Sequence, residues 1–327
     1  MLDSFLDRTL SLFSRRFLIV AWLPTFFVFL IISMIYLIGH GLLPILKLWN
    51  KYYNLFSQFH LSLYTVLPSI SLLIITIIAI ALDAFTYWEV RQYVSFGESL
   101  PFFKSIRKWK KNRLLQDGER YQNMTHEQYQ NMAHKAQYDL YYNYPLTKEA
   151  LYPTQFGNVL QAAVDYGHSR YGMDIPFWFP RLWELLPKDI RLAMDNAMTM
   201  IAMLINLINI TLMIAIVTVL HLKAIGLSHL WHHPSATQVG VIIEIIFLLL
   251  IIPIIKALYQ GAVKQAKRYG EYIRVATDLY RFKLLEALHI PLPTTPTEEK
   301  LIWYNLSTWL YNADRGRTTA IKYKHSS

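Results

Sequence analysis

An all-α integral membrane protein is the fold class that this sequence predicts, and three observations predict it. Four stretches are apolar over roughly the 20 residues that a bilayer crossing requires. The segments between them alternate between rich and poor in Lys and Arg. The last apolar stretch continues, with no helix stop, into a polar segment of heptad-like spacing. The expected architecture is four transmembrane helices with a helical cytoplasmic domain built from the 83–196 segment and the extended C-terminal helix.

Composition agrees with this class. Of 327 residues, 54% are hydrophobic, 15% aromatic and 17% charged, a balance suited to a chain that dissolves much of itself in lipid. There is no cysteine, which excludes disulfides, thiolate nucleophiles, Cys-ligated zinc and iron–sulfur clusters. A net charge of +10 would suggest nucleic acid in a soluble protein. Beside four spans, positive-inside topology and anionic lipid explain it more simply.

Residues 1–16, "MLDSFLDRTLSLFSRR", space Leu2, Phe5, Leu6, Leu10 and Phe13 three or four apart. That pattern predicts an amphipathic N-terminal helix on the inner leaflet, anchored by Arg15 and Arg16. Two Asp precede the first apolar run and no A-x-A-like site follows it, so a cleavable signal is not expected. Residues 17–82 then form a transmembrane hairpin with spans near 17–38 and 61–82. Residues 197–255 form a second, with spans near 197–220 and 239–255. Pro24, Pro68 and Pro253 fall inside these spans, where each predicts a local bend.

Orientation follows from the charges. Lys and Arg number 3 in residues 1–16, 2 in 39–60, 14 in 83–196, 1 in 221–238 and 12 in 256–327. The excess places both termini and the long middle segment on the cytoplasmic side.

Within the cytoplasmic segment 83–196, "KSIRKWKKNR" brings Arg107, Lys108, Lys110 and Lys111 together as expected contacts with anionic headgroups. Trp109 would suit base stacking, but no nucleic-acid-binding motif accompanies it and nucleic acid is not an expected partner. Further on, Phe156, Val159, Leu160 and Ala163 fall on one stripe, which predicts a short helix over 154–166 capped by Thr154. "YGHSRYG" reads as a turn. In "DIPFWFPRLWELLP", Pro176, Pro180 and Pro187 are expected to break the chain into short pieces. Its aromatics, Trp178 and Trp183 among them, are expected to rest as a foot in the headgroup layer.

From 256 the fourth span should continue as a cytoplasmic extension to about 289, followed by a linker and a last short helix starting near Thr297. Tyr259, Ala262, Ala266, Tyr269, Ile273, Ala276 and Tyr280 alternate spacings of three and four, a seam about three heptads long. Two uses of it stay open, packing on the chain's own helices and self-association as a homo-oligomer.

Motifs for chemistry are missing. There is no G-x-S-x-G, G-x-G-x-x-G, G-x-x-x-x-G-K or H-E-x-x-H. Asp165, His168, Arg170 and Asp174 lie close together in sequence, as acid–base work would want, but no nucleophile accompanies them. His229, His232 and His233 in "HLWHH" have enough donors for a soft divalent metal but match no known spacing. No cofactor is expected. Glu244 stands inside the fourth span, where a charge is costly, and Asn206 and Asn209 share a face of the third. These three are the candidates for a polar path through the membrane.

"YPTQFGNVLQAAVDYGHSRYGMD", "FPRLW", "YGEYIRVATDLYRFKLLEAL" and "PLPTTPTEEKLIW" resemble an uncharacterised family of bacterial multi-pass inner-membrane proteins over roughly 150–310. The resemblance implies a bacterial inner membrane and carries over no activity. The expected function is therefore non-enzymatic: an oligomeric channel or scaffold whose cytoplasmic helical collar senses or binds an intracellular protein partner. An ion-coupled or proton-linked small transporter is the alternative, and a membrane-surface enzyme acting on lipid a further one.

Overall fold

The computed structural model describes residues 15–40, 53, 63–95, 141–145, 150–225, 236–312 and 323. Every extended element among them is helical. In chain order they are α1 (Arg15–Phe17), a π-helix (Leu18–Trp22), α2 (Leu23–His40), α3 (Leu63–Ser95), α4 (Gln155–Tyr171), α5 (Ile175–Leu185), α6 (Lys188–Ile225), α7 (Ala236–Ala287) and α8 (Pro296–Asn312). They divide into two compact units, Met1–Val90 with Thr199–Ala262, and Arg91–Met198 with Val263–Ser327.

Among the described residues, the first unit carries apolar side chains both inside and outside. Val20, Ile75, Ala79, Ile201, Ile205 and Ile208 are buried, while Leu73, Ile77, Ile216, Leu220, Leu249 and Ile252 are exposed. Two helices among the described residues, α6 and α7, are long and apolar enough to cross a membrane; Leu18–Ile31 and Pro68–Ala84 are shorter apolar stretches. Of the four full spans expected from hydropathy, the described residues hold two full-length candidates and two shorter apolar helices. The first apolar helix is interrupted by the π-helix. The second runs past Asp83 to Ser95, so its later half is not apolar.

The second unit packs around aromatic side chains. α4 begins where the sequence predicted: Thr154 Oγ1 accepts the Gly157 N–H at 2.9 Å and donates to the Val94 carbonyl at 2.8 Å. Phe156, Val159 and Ala163 are buried as the stripe required, whereas Leu160 is half-buried. The expected turn at "YGHSRYG" is instead the last helical turn. It ends at Gly172, in the left-handed region at φ 72°, with Met173 N–H bonded to the Gly167 carbonyl at 3.1 Å. This is a Schellman-type stop, which glycine adopts without steric cost.

The prolines of 174–187 also act otherwise than expected. Pro176 occupies the first turn of α5, where its missing N–H has no intrahelical partner to lose. Pro180 lies inside the same continuous helix, whose buried Ile175, Trp178 and Leu182 hold it to the core. α8 starts with Pro296 after Thr295, whose hydroxyl accepts the Glu298 N–H at 3.2 Å. The cap is therefore two residues earlier than Thr297.

α7 is continuous for 52 residues, as the absence of a stop predicted. Its seam, however, turns inward. Ala266, Ile273 and Ala276 are buried, and Tyr269 and Tyr280 pack against the same core as Trp178, Leu285 and Trp303. In the first unit Ala262 is buried and Tyr259 half-buried. The seam considered for self-association is spent on the chain's own helices, because each small residue leaves room for a neighbour within the unit. Gly270 shows the closeness: a Cβ there would stand 3.0 Å from that of Ala163 on α4.

Candidate functional site

The densest polar assembly lies in the second unit, on one face of α7. Arg274, Asp278 and Arg281 recur at i, i+4 and i+7, so they share that face. Asp278 Oδ1 accepts the hydroxyls of Tyr166 and Tyr171, each at 2.7 Å. Arg281 pairs through Nε with Glu299 of α8 at 2.7 Å, donates to the Asp278 carbonyl, and lies 4.1 Å over the Tyr171 ring. Arg274 is 4% exposed. Its guanidinium stands 4.4 Å from the Tyr142 ring centroid and 4.8 Å from that of Tyr141, and it donates to the Tyr141 carbonyl at 3.4 Å. Cation–π attraction replaces part of the hydration that this cation has lost.

The electrostatics suit holding rather than reacting. Burial pushes the hydroxyl of Tyr166 well above the ordinary tyrosine value and raises that of Tyr171, and the bond each makes to Asp278 adds to the rise. Burial likewise raises Tyr141. All three remain protonated donors, so none serves as a base or nucleophile near neutral pH. Of the quartet suggested by the sequence, the two carboxylates are committed elsewhere. Asp165 Oδ1 accepts from Gln161 at 2.7 Å, and Asp174 Oδ2 from Tyr311 at 2.8 Å. His168 and Arg170 are exposed on the last turns of α4.

Of the expected aromatic foot, Trp178 turns inward and not toward a headgroup layer. Trp178 is fully buried, donates Nε1 to Ser307 at 2.8 Å and meets the Trp303 ring edge-to-face at 5.2 Å. Trp183 is half-buried and packs on the same core. Aromatics flanked by proline mark a headgroup layer and a packed core alike. The indole that completes the cluster belongs to α8, a helix distant in sequence. Of the other headgroup candidates, Arg16 is exposed. The side chain of Arg15, and Arg107, Lys108, Lys110 and Lys111, lie outside the described residues.

In the first unit, Asn206 is fully buried and donates Nδ2 to the Val20 carbonyl at 2.9 Å. That bond joins α6 to the π-helix. Asn209 is half-buried on α6. Glu244 is in α7, but its side chain is outside the described residues, as are His229, His232 and His233. Among the described residues no group of three His, Asp or Glu side chains could hold a metal ion.

Sequence reasoning missed Asp278, its two tyrosines, Arg274, Arg281 and Glu299. The i, i+4, i+7 spacing within "RVATDLYR" was a readable signal for the α7 members. Their partners on α4 and α8 were not readable from spacing. Compared with protein-family models, curated proteins and solved structures, the chain matches none of them.

Proposed function

We propose that this chain is a non-enzymatic integral membrane scaffold, with the apolar unit in the bilayer and the aromatic unit forming a cytoplasmic helical collar. One observation carries the reading. The most apolar stretches of α6 and α7 are only 39% and 17% buried, and exposed Ile and Leu cover both helices. A soluble core helix would bury those faces; lipid leaves them unchanged. The shorter helices at Leu18–Ile31 and Pro68–Ala84 complete four crossings, with both termini on the cytoplasmic side by the charge rule. The resemblance over 150–310 supports a bacterial inner membrane.

Scaffold is favoured over transporter because Asn206 is fully buried and bonded to backbone, and over lipid enzyme because Asp165 and Asp174 already serve as structural acceptors. The collar is the part that binds an intracellular protein partner. With the α7 seam spent internally, assembly with further copies uses outward residues such as Leu301 and Tyr304 of α8, both exposed.

The absence of cysteine makes the test direct. Single cysteines at residues 130 and 310 should be shielded from an impermeant maleimide in intact cells and labelled after lysis. One at residue 230 should be labelled from outside. Labelling of 130 or 310 in intact cells would reverse the orientation.

A further inference from the structure

Ile252, Lys256, Gln260, Lys264 and Arg268 follow one another at intervals of four residues along α7, and all five are exposed. Residues four apart on a helix lie one above the other, so the five form a single outward ridge. Its chemistry changes once. Ile245, Leu249 and Ile252 bring exposed hydrocarbon up to Lys256; from there on the ridge is amide and cation. Between Ile245 and Gly270 the helix carries four basic residues, Lys256, Lys264, Lys267 and Arg268, and no acid.

These four differ from the cations further along the same helix. Arg274 lies over the rings of Tyr142 and Tyr141, Arg281 pairs with Glu299, and Lys283 stands over Tyr280. Among the described residues, Lys256, Lys264, Lys267 and Arg268 are in no ion pair and over no ring. Lys264 and Arg268 are like charges one turn apart, an arrangement that costs helix stability unless an anion offsets it. The Cα–Cβ bond of a helical residue tilts toward the helix N-terminus. On α7 that is the direction of the apolar stretch, so Lys264 leans back over Gln260. Lys256, at the edge of that stretch, carries its ammonium the other way, toward water. The two α-carbons are about 12 Å apart along the axis, and an anion beside Gln260 is within reach of both side chains. A molecule with an anionic head and apolar chains covers both halves of the ridge. An acidic peptide or a nucleic acid would meet the cations and leave Leu249 and Ile252 bare.

We infer that this ridge is a binding site for an anionic phospholipid of the cytoplasmic leaflet. Lys256, Gln260 and Lys264 hold its phosphate, and its acyl chains lie along Ile252, Leu249 and Ile245. Lys267 and Arg268 add positive field without touching the phosphate. The inference rests on the membrane reading proposed above, to which it adds the class of lipid and the side chains that select it.

The test places a fluorophore on a single cysteine, Ile252→Cys, in the otherwise cysteine-free full-length protein. The protein is reconstituted in mixed vesicles of phosphatidylcholine and phosphatidylglycerol, one of the two carrying brominated acyl chains that quench the fluorophore on contact. Both brominated lipids should quench, with phosphatidylglycerol preferred over phosphatidylcholine. At low salt, Lys256→Gln and Lys264→Gln should each lower that preference about fivefold. Lys283→Gln, on the same helix but outside the ridge, should leave it unchanged. Quenching by both lipids with no preference would overturn the headgroup site and leave the membrane reading standing. So would a preference that survives the double substitution Lys256→Gln, Lys264→Gln. Absence of quenching by either lipid, both at Ile252→Cys and at Ile216→Cys on α6, would overturn the membrane reading itself, and the site with it.

Discussion

Arg281 Nε lies 2.7 Å from Glu299 Oε1, pinning the end of α7 to the start of α8 across 18 residues of sequence. Both side chains are largely buried, at 15% and 8% exposed. Removing one partner strands the other's charge, which costs more than the pair contributes when intact. Glu299→Ala should therefore destabilise the protein by about 3–5 kcal/mol, measured by denaturant unfolding in detergent. Arg281→Met combined with Glu299→Leu should recover most of that loss.

Gly172 stops α4 at φ 72°, and a Cβ there would also meet the Lys300 backbone at 3.0 Å. Neither difficulty is relieved by a side-chain rotation. Gly172→Ala should cost about 1–3 kcal/mol, the usual range for a non-glycine residue held in a sparsely populated region. Loss of α8 packing should appear first, as faster proteolysis between 288 and 300.

Glu298 accepts from the N–H of Thr294 at 2.7 Å and from its hydroxyl at 2.8 Å. Those bonds hold its carboxyl below the ordinary value of 4.5. A lowered folded-state pKa means stabilisation that is present above the unfolded-state value and lost as pH falls through the folded one. Wild-type protein should melt at a higher temperature than Glu298→Gln near neutral pH. The difference should close as the pH is taken below about 4.5. A constant difference across that range would mean that the cap does not depend on the charge.

The readable parts of this fold were those set by local rules. Thr154 as a cap and the unbroken α7 follow from side-chain chemistry at neighbouring positions, and the structure has both. Misreadings arose where a local signal has two tertiary outcomes. Trp178 beside prolines fits a lipid interface and a packed core equally well until Trp303 and Ser307 are known to face it. The alternation of Ala266, Ile273 and Ala276 shows a face to be covered and not what covers it. Asp278 with Tyr166 pairs residues 112 apart, and no spacing rule reaches that far. In the sequence Asn206 reads as part of a polar face and Pro24 as a bend. Only the geometry shows Asn206 donating to the Val20 carbonyl, four residues before Pro24, which has no N–H to give it.

The central claim, that the apolar faces of the first unit meet lipid, is tested most directly by spin labels placed singly at Ile216, Leu249 and Ile252 in reconstituted membranes. Those side chains are 61%, 70% and 75% exposed. Collision with oxygen should be frequent and collision with a water-soluble nickel chelate rare at all three. Ready access of the nickel chelate to these sites would place them in water and contradict the account.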